Sequence, residues 1–398
     1  MRATALLPLL LLAAPLQAQF TGHVIVVDDD GGPGVDFTAI QPAVDAALEG
    51  DRILVADGVY PGFVVKGKSV SVEANQGAQV EVRGPVEVRE LAGSQWSFLR
   101  GLHASEAPET PATEVATLHA NSGVGHIWVE RCSFGAPHAA ADAATTQGAR
   151  LILVGVELTG GAGRAGLAVK SSNVWAHRSR FVGGDGAPAE PGGAGIAMEA
   201  GFLFLAGSEL VGGGGGDAAD PVTCPRGGDG GAGLRLAGLF PVYEGLDNSL
   251  SGGAGGSSLC GAAGSPGPGL LDLAGGLINE HPGAAVSVSS SSPMVFGDVQ
   301  TLTVDGAPGD VVLLVYSFFA DTTDVLTAAG PLLVLAPYSH LGRVELPASG
   351  TLSLAREVPA LTFPKESFTL HVQPVALRAD GQIVAGAPSA FGILPQPF

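Results

Sequence analysis

The triplets Val156-Glu157-Leu158, Ser179-Arg180-Phe181 and Ser208-Glu209-Leu210 share one pattern, a charged residue followed by a large apolar residue, with glycine two residues later. Cys132-Ser133-Phe134 precedes them and Asn248-Ser249-Leu250 follows them with the same spacing of small, polar and apolar positions. The successive Phe or Leu residues lie 24, 23, 29 and 40 positions apart. A short unit that returns at such intervals is typical of a solenoid. This stretch therefore predicts a chain that winds through one coil after another.

A second unit recurs between the triplets and opens the following strand of each coil. Its members are Ala165-Gly166-Leu167, Ala194-Gly195-Ile196, Ala232-Gly233-Leu234 and Pro268-Gly269-Leu270. Glycine-rich insertions separate the two units, at residues 160–164, 183–193, 212–232 and 252–268. Insertions at one phase of a solenoid stack on one side of it, which predicts a glycine-rich flap of adjacent loops. The apolar residue of each unit should point inward and stack on its equivalent about 4.8 Å away.

Composition limits the class of protein and of partner. Of the 398 residues, 46% are hydrophobic and 14% are charged, so the chain has ample material for a core, and its 61 glycines and 28 prolines favour a turn-rich β fold. The formal net charge is −19, from 38 acidic and 19 basic residues. Binding to phosphate backbones needs clustered Lys and Arg, so nucleic acid and anionic membranes are not expected as partners.

The first residues have the properties of a secretory signal. Met1-Arg2 precede an apolar run over residues 3–14, and Ala18 offers a small residue for cleavage. The apolar run is too short to span a bilayer, and no later run approaches the required length. The sequence predicts a signal peptide at residues 1–18 and a mature protein that is exported, outside the membrane.

The opening of the mature chain indicates the fold family. After the strand-like residues 24–27 come Ile40, Val44, Ala47 and Leu48 at helical spacing, and then further short strands. This segment of about 45 residues resembles the start of pectin-lyase-like right-handed parallel β-helix proteins, in which a helix plugs the open end of the first coil. It is also similar to the opening of the pectinesterases, but the chain lacks the Gln-Asp and Asp-Phe-Ile-Phe-Gly sequences that carry their activity. The resemblance implies the fold and not the activity.

The last hundred residues change character. The run Ser287 to Pro293 is typical of a linker, and about seven alternating strands follow it, as in a β-sandwich. The predicted fold class is all-β, a right-handed parallel β-helix with a short N-terminal capping helix and a C-terminal β-sandwich. The predicted boundaries are residues 19–286 for the β-helix, 287–293 for the linker and 294–398 for the sandwich.

Three cysteines allow one internal disulfide. Cys224 and Cys260 lie in insertions assigned to neighbouring coils, whereas Cys132 alternates with apolar residues and is expected to be buried. We predict that Cys224 and Cys260 pair and clamp the flap. The alternative is that both are free in mobile loops.

Clustered carboxylates raise the question of a cofactor. Calcium prefers carboxylate and carbonyl oxygens, and the flap holds Asp185, Asp217, Asp220 and Asp229, while Asp28-Asp29-Asp30 forms an acidic turn. The spacing matches neither an EF-hand nor a glycine-aspartate nonapeptide array. Solvated turns are therefore expected at both places, with calcium as the alternative, and no other cofactor is predicted.

Alignment of the coils by the first unit places Ser133, Glu157, Arg180, Glu209 and Ser249 in one outward column. The central three alternate in sign. A strand-to-strand charge ladder worth about 0.2–1 kcal/mol per pair is the expected role. The alternative is a polar groove that binds a sugar chain.

Two tryptophan segments are similar to the Trp-Ile-Asp-His region of pectate lyases, at residues 126–132 (HIWVERC) and 173–179 (NVWAHRS). Both lack its Asp, and no grouping of carboxylates around a calcium site is evident. Trp128 and Trp175 are therefore expected in the core, with sugar-stacking platforms as the alternative. The chain also lacks the paired carboxylates of a polygalacturonase and a Gly-x-Ser-x-Gly elbow.

These observations leave two functions open. The leading prediction is an exported, non-enzymatic β-helix that binds carbohydrate or another extracellular polymer. The alternative is a polysaccharide lyase or glycoside hydrolase with an unfamiliar site, and its best candidates share an outward position on nearby coils: Glu130, Glu157, His177, Arg178, Arg180 and Glu209.

Overall fold

The computed structural model describes residues 22–105, 116–121, 123–136, 141–318, 320–323, 328–334, 339–358 and 367–395. The regular secondary structure of this part of the chain is almost entirely β-strand, with one helix of seven residues. The predicted all-β class is therefore confirmed. The predicted signal peptide, residues 1–18, lies outside the described residues. Within them no helix has the length and apolar character needed to cross a membrane.

Residues 22–281, the coil region, contain 24 strands and the helix. In chain order they are β1 (Val24–Val27), α1 (Ile40–Ala46), β2 (Arg52–Val55), β3 (Gly58–Lys66), β4 (Ser71–Ala74), β5 (Val80–Arg89), β6 (Trp96–Arg100), β7 (Leu102–Ser105), β8 (Leu118–Asn121), β9 (His126–Glu130), β10 (Ser133–Gly135), β11 (Ala144–Gln147), β12 (Arg150–Val154), β13 (Glu157–Thr159), β14 (Leu167–Lys170), β15 (Ser172–His177), β16 (Arg180–Val182), β17 (Ile196–Met198), β18 (Gly201–Ala206), β19 (Glu209–Val211), β20 (Leu234–Leu236), β21 (Val242–Leu246), β22 (Ser249–Ser251), β23 (Leu270–Asp272) and β24 (Leu277–His281).

Two large parallel sheets organise the coil region. The first sheet has the order β1-β2-β4-β6-β9-β12-β15-β18-β21-β24. The second runs β22-β19-β16-β13-β10-β7-β5-β8-β11-β14-β17-β20-β23, with β3 beside β5. From β6 onward each coil contributes three strands. Its first strand joins the first sheet, its second strand joins the half of the second sheet that ends at β22, and its third strand joins the half that ends at β23. This topology is consistent with the predicted parallel β-helix solenoid.

Apolar ladders fill the interior of the coils. Phe134, Leu158, Phe181, Leu210 and Leu250 are successive register partners, and the first four are at most 1% exposed. The second unit forms a parallel ladder from Leu167 through Ile196 and Leu234 to Leu270. The predicted inward stacking of both repeat units is confirmed.

The helix α1 lies against the first strands. Its residues Ile40, Ala43 and Val44 join the core of the coil region. Lys68 Nζ donates to the carbonyl oxygens of the last turn, at 2.9–3.2 Å, where a cation satisfies groups that the helix leaves unpaired. Leu48, expected on the buried face, is 67% exposed because the helix ends at Ala46.

The glycine-rich insertions of adjacent coils form an ordered lattice, which is the flap (residues 160–164, 183–193, 212–232 and 252–268). Every third backbone N–H of one outgoing segment donates to the next coil: Gly212 to Ser251 O, Gly215 to Ala254 O and Ala218 to Ser257 O, at 2.8–2.9 Å. Intervening residues donate to returning segments, as Gly213 N does to Gly193 O at 2.8 Å. A period of three is that of the polyproline II helix, which has no internal hydrogen bonds. The period of three therefore indicates segments similar to polyproline II helices, joined to one another by backbone hydrogen bonds.

Close approach of these segments explains the glycine content. A Cβ atom on Gly184 would overlap the carbonyl oxygen of Gly161, and one on Gly213 would overlap that of Gly184. In triplets of the form Gly-Gly-x, the third residue points outward and can carry a side chain, as the exposed Asp185 and Asp217 do. The sequence predicted the flap but not its three-residue hydrogen-bond period. The Gly-Gly-x triplets are the sequence feature from which that period could have been predicted.

The C-terminal region, residues 286–395, forms smaller sheets. Its strands are β25 (Ser287–Ser289), β26 (Met294–Val295), β27 (Val299–Asp305), β28 (Val311–Ser317), β29 (Ala320–Thr323), β30 (Ala328–Ala329), β31 (Leu332–Val334), β32 (Ser339–Glu345), β33 (Thr351–Glu357), β34 (Phe368–Leu377), β35 (Ile383–Ala385) and β36 (Ser389–Leu394). β25, β27 and β33 form one antiparallel sheet, and a seven-stranded sheet includes β26, β36, β34, β28 and β32.

The predicted linker 287–293 is wrong in its first half. Ser287–Ser289 is strand β25, which pairs antiparallel with β27 and buries Ser287 and Val288. A serine-rich run is typical of a linker only when its backbone stays in water; here the backbone of Ser287 to Ser289 pairs with Thr303 to Asp305. Residues 287–289 therefore belong to the C-terminal region.

The C-terminal region covers the outer face of the first sheet. Phe98, Trp128, Ile152, Trp175 and Phe204 are successive register partners on that face and join one apolar cluster with C-terminal residues. All five residues of β9 are buried, because one face meets the coil core and the other meets the C-terminal region. The first sheet is thus closed to solvent on both sides over its middle coils.

We expect Gly184→Ala to lower the stability of the flap, because the new methyl group meets the Gly161 carbonyl in a packed lattice. Overpacking of this kind costs about 1–3 kcal/mol. Gly93→Ala is the matched control, since its nearest atom, Val124 Cγ2, lies at an ordinary 3.6 Å. Amide hydrogen exchange over residues 183–194 should accelerate only in Gly184→Ala. Equal exchange in both variants would contradict the lattice.

Candidate functional site

The outward column predicted from the repeat is present on the second strand of each coil. His103, Ser133, Glu157, Arg180, Glu209 and Ser249 are successive register partners. Arg180 Nη1 donates to Glu157 Oε1 at 3.0 Å, and Arg180 Nε donates to Glu209 Oε2 at 3.1 Å. One guanidinium therefore bridges carboxylates from the coil before it and the coil after it.

The charges of this column remain accessible. The side chains of Glu157, Arg180 and Glu209 are 54%, 46% and 51% exposed. Partial burial lowers the pKa of Arg180, but the hydrogen bonds that it donates to Glu157 and Glu209, together with their negative charges, raise it by more, so the net shift is upward. Exposed ion pairs contribute about 0–1 kcal/mol each. The column adds little to stability, and its polar groups can exchange their present partners for those of a ligand.

The column begins with a histidine and hydroxyl pair that the sequence comparison of triplets missed. His103 Nδ1 lies 2.8 Å from Ser133 Oγ. Glu81 is the register partner of His103 on the preceding coil, but its carboxylate pairs with Arg83 Nε at 2.9 Å. The only sequence signal for His103 was its place one coil before Ser133, and its separation of 30 residues from Ser133 differs from the next spacings of the repeat.

The third strands repeat the same arrangement. Thr145 Oγ1 lies 2.9 Å from His119 Nδ1, and Glu87 is the register partner of His119. Burial lowers the pKa of His119, and the nearby Glu87 opposes that shift. Because His103 and His119 stand in equivalent relations to a hydroxyl and a glutamate, the geometry indicates polar ladders on two faces of the solenoid.

Glu130 and His177 hold the predicted outward positions on their strands, but the C-terminal region covers them, so they are not candidates on the open surface. Both point away from the coil core, but they are 2% and 0% exposed beneath the C-terminal region. Glu130 accepts hydrogen bonds from Ser389 Oγ at 2.6 Å and Ala390 N at 3.0 Å, and pairs with Arg100 at 3.3 Å. The Glu130 carboxylate therefore joins the coil region to the C-terminal region through hydrogen bonds.

His177 sits in the same buried layer. Its ring lies 5.5 Å from that of Phe204, and neither ring nitrogen has a hydrogen-bond partner among the described residues. Burial lowers its pKa to about 3. The imidazole is thus neutral at physiological pH and cannot exchange protons with a substrate in solvent.

Arg178 lies at the margin of this interface. Its Nη1 donates to Asp305 Oδ2 at 3.1 Å and to Ser287 Oγ. With Glu130 and Arg131 it lines a cleft of about 290 Å³ between the coils and β25. These hydrogen bonds join the two regions, which gives Arg178 a structural role.

Trp128 and Trp175 are buried, at 1% and 4% exposure, and the predicted core role is confirmed. Trp128 Nε1 donates to Glu130 Oε2 at 3.2 Å. Sugar stacking on either ring would require removal of the C-terminal region.

The four flap aspartates are dispersed. Asp185 accepts from Gly214 N at 2.7 Å, and the hydrogen bonds from Ser257 lower the pKa of Asp217. Asp220 accepts from Thr223 Oγ1 at 2.6 Å, and Asp229 pairs with Arg226 at 2.7 Å. Each carboxylate thus stabilises a neighbouring turn through local hydrogen bonds or an ion pair. Within the described part of the chain, the only three-carboxylate cluster of metal-binding size is the acidic turn Asp28, Asp29 and Asp30.

Cys224 and Cys260 form a disulfide across the tip of the flap, with their Cα atoms 5.2 Å apart. This is the pair expected from the sequence. Cys132 is a free, buried thiol, and burial raises its pKa to about 12. The disulfide joins insertions of adjacent coils and stabilises the end of the lattice.

Glu130→Gln should destabilise the protein far more than Glu157→Gln. The first leaves Arg100 as an unpaired buried charge, at a cost of about 3–5 kcal/mol. The second removes an exposed ion pair worth about 1 kcal/mol or less. Urea unfolding followed by tryptophan fluorescence measures both, since Trp96, Trp128 and Trp175 all lie in the interface cluster. Equal losses would refute the buried role of Glu130.

We expect stability to fall as the pH drops below 6.5, because buried His177 resists protonation that the unfolded chain accepts. At pH 5 the unfolded state binds more protons, and the loss is about 2 kcal/mol for one such histidine. Buried His371, with its pKa lowered to about 3 by burial and Arg52, adds to it. His177→Leu should reduce the difference in unfolding free energy between pH 7 and pH 5, whereas the exposed control His340→Gln should not. An unchanged difference in His177→Leu would exclude this cause.

Comparisons with known proteins give no family. No family profile matches the chain, and no curated protein matches it. The tailspike protein of Acinetobacter phage vB_ApiP_P1 aligns over 84% of this chain and 82% of its own, at 12% identity and a TM-score of 0.22. Superoxide reductase (neelaredoxin) from Ignicoccus hospitalis aligns over 27% of this chain and 80% of its own, at 9% identity and a TM-score of 0.18. Scores this low carry no argument about fold or function.

Proposed function

We propose that the protein is an exported, non-enzymatic β-helix that binds a carbohydrate or another extracellular polymer. The proposal includes the right-handed, pectin-lyase-like form of the solenoid, with α1 as its cap and a C-terminal β-sandwich as an accessory module. The observation that carries it is the column of exposed polar side chains from His103 to Ser249. One polar group per coil, repeated about every 4.8 Å, offers regular hydrogen bonding to a polymer of repeating units.

The covered first sheet supports this choice of surface. Its aromatic residues face the C-terminal region, so they are not available to a polymer. No described residue covers the second strands in this way, and their charged residues are half exposed. A long ligand would therefore lie across the coils on the second strands, in contact with Glu157, Arg180 and Glu209.

A polysaccharide lyase or glycoside hydrolase is the second candidate. Glu157 and Glu209 lie on strands two coils apart, which corresponds to about 9.6 Å along the stack. Inverting glycosidases separate their two carboxyl groups by about 6.5–9.5 Å. However, a general acid must carry a proton, and Arg180 holds both carboxylates in ion pairs. Binding without cleavage is therefore the better-supported function.

Retention on immobilised plant, algal and bacterial polysaccharides, with and without Ca²⁺, tests the proposal on the full mature chain. Arg180→Ala should weaken retention about tenfold or more, because a hydrogen bond to a charged group contributes about 1.5–3 kcal/mol. Arg343→Ala, an exposed arginine of the C-terminal region, is the control. Failure to retain any polymer, or equal retention by both variants, would overturn the proposal. Release of reducing ends or unsaturated products that disappears in Glu157→Gln would establish the enzyme instead.

A further inference from the structure

A second polar surface lies on the third strands, at the base of the flap. A cleft of about 390 Å³ opens there between the outer face of β14, β17 and β20 and the returning segment that contains Pro191 and Gly192. Its floor is formed by Ala168 and Ala197, which are register partners on adjacent coils. Small side chains at these two positions create the space.

Positive charges from different coils surround this floor. Arg235 is the register partner of Ala197 on the next coil, Lys170 ends β14, and Arg164 lies in the flap insertion beside it. Among the described residues, the side chains of Lys170 and Arg235 have no ion-pair partner. The protein carries twice as many acidic as basic residues, yet these two cations face one cleft.

Asp142 lines the same cleft as the three cations. Its Oδ1 accepts a hydrogen bond from Ala165 N at 2.8 Å, so the carboxylate is fixed at the edge of the cleft. Burial raises the pKa of Asp142, and the charges of Arg164, Lys170 and Arg235 all oppose that shift. Glu199 is the other acidic residue of the lining, which leaves the cleft with an excess of one positive charge.

We propose that this cleft binds the carboxylate of an acidic sugar residue within the polymer, a specificity that rests on the proposed binding function. Arg235 presents a guanidinium fork that matches a carboxylate, and Lys170 supplies a second positive charge. The alanine floor accepts the apolar face of the sugar ring. At physiological ionic strength charges act over about 8 Å, so the local cations attract an isolated acid group although the whole protein is acidic.

The net charge also defines the kind of polymer. A uniformly charged polyanion would bring many negative charges against a surface of net charge −19, whereas a mostly neutral chain with occasional uronate residues would bring one. The ligand class is therefore a sparsely acidic glycan. Neutral sugar residues would contact the column on the second strands, and acidic residues would contact this cleft.

Saturation-transfer NMR on the full mature chain tests this site, with glucuronate, glucose and glucose 6-sulfate as probes. We expect glucuronate to bind and glucose not to bind at the cleft. Lys170→Gln with Arg235→Gln should reduce glucuronate binding at least tenfold, and Ala168→Leu should do so by filling the floor. Arg343→Gln is the control for a lost surface cation. Because Lys170 and Arg235 are exposed, their replacement leaves the fold intact, which the thermal midpoint verifies.

Three outcomes would overturn the site. They are no binding of glucuronate, equal binding by the double variant, and a preference for glucose 6-sulfate, which would assign the cleft to sulfate instead. If polysaccharide retention through Arg180 persists while glucuronate fails to bind, only this inference falls. If neither binds, the proposed function falls with it.

Discussion

The structure depends on the in-register stacking of parallel coils. Each coil pairs its backbone with the next at the spacing of neighbouring strands, about 4.8 Å. A residue at one phase of the repeat therefore lies beside its equivalents, whatever the length of the insertion between them. The insertions differ in length from coil to coil, yet Leu158, Phe181 and Leu210 remain partners. The same constraint aligns Glu157, Arg180 and Glu209 on the outside and brings the flap segments together.

Glycine extends this constraint beyond the sheets. A polyproline II segment has no internal hydrogen bonds, so the N–H groups of each insertion must bond to neighbouring segments, and stacked coils supply them on two sides. The approach needed for these bonds leaves no room for a Cβ at positions such as Gly184. The result is the ordered flap, whose tip is closed by the Cys224–Cys260 disulfide. Its returning segment with Pro191 and Gly192 forms one side of the cleft that Arg235 lines.

The C-terminal region decides which surfaces can meet a ligand. It buries the aromatic outer face of the first sheet and takes up Glu130 through Ser389 and Ala390. An unpaired charge there would be costly, and Arg100 neutralises it. The second and third strands stay open, one with an alternating charge ladder and the other with a basic cleft. The two surfaces therefore present different chemistry to solvent.

The repeat in the sequence determined the strand phases, the inward apolar ladder, the outward column and the cysteine pair, because these depend on spacing within and between adjacent coils. The alternation of apolar and polar residues distinguishes inward from outward side chains. It does not show which outward face another part of the chain covers. Glu130 and Glu157 follow the same outward pattern, and only contacts with residues some 260 positions later bury Glu130. The linker assignment failed for the same reason, since β25 is defined by its pairing with β27. Arg164, Lys170 and Arg235 converge only when coils of unequal length stack, so tertiary structure alone decided the cleft.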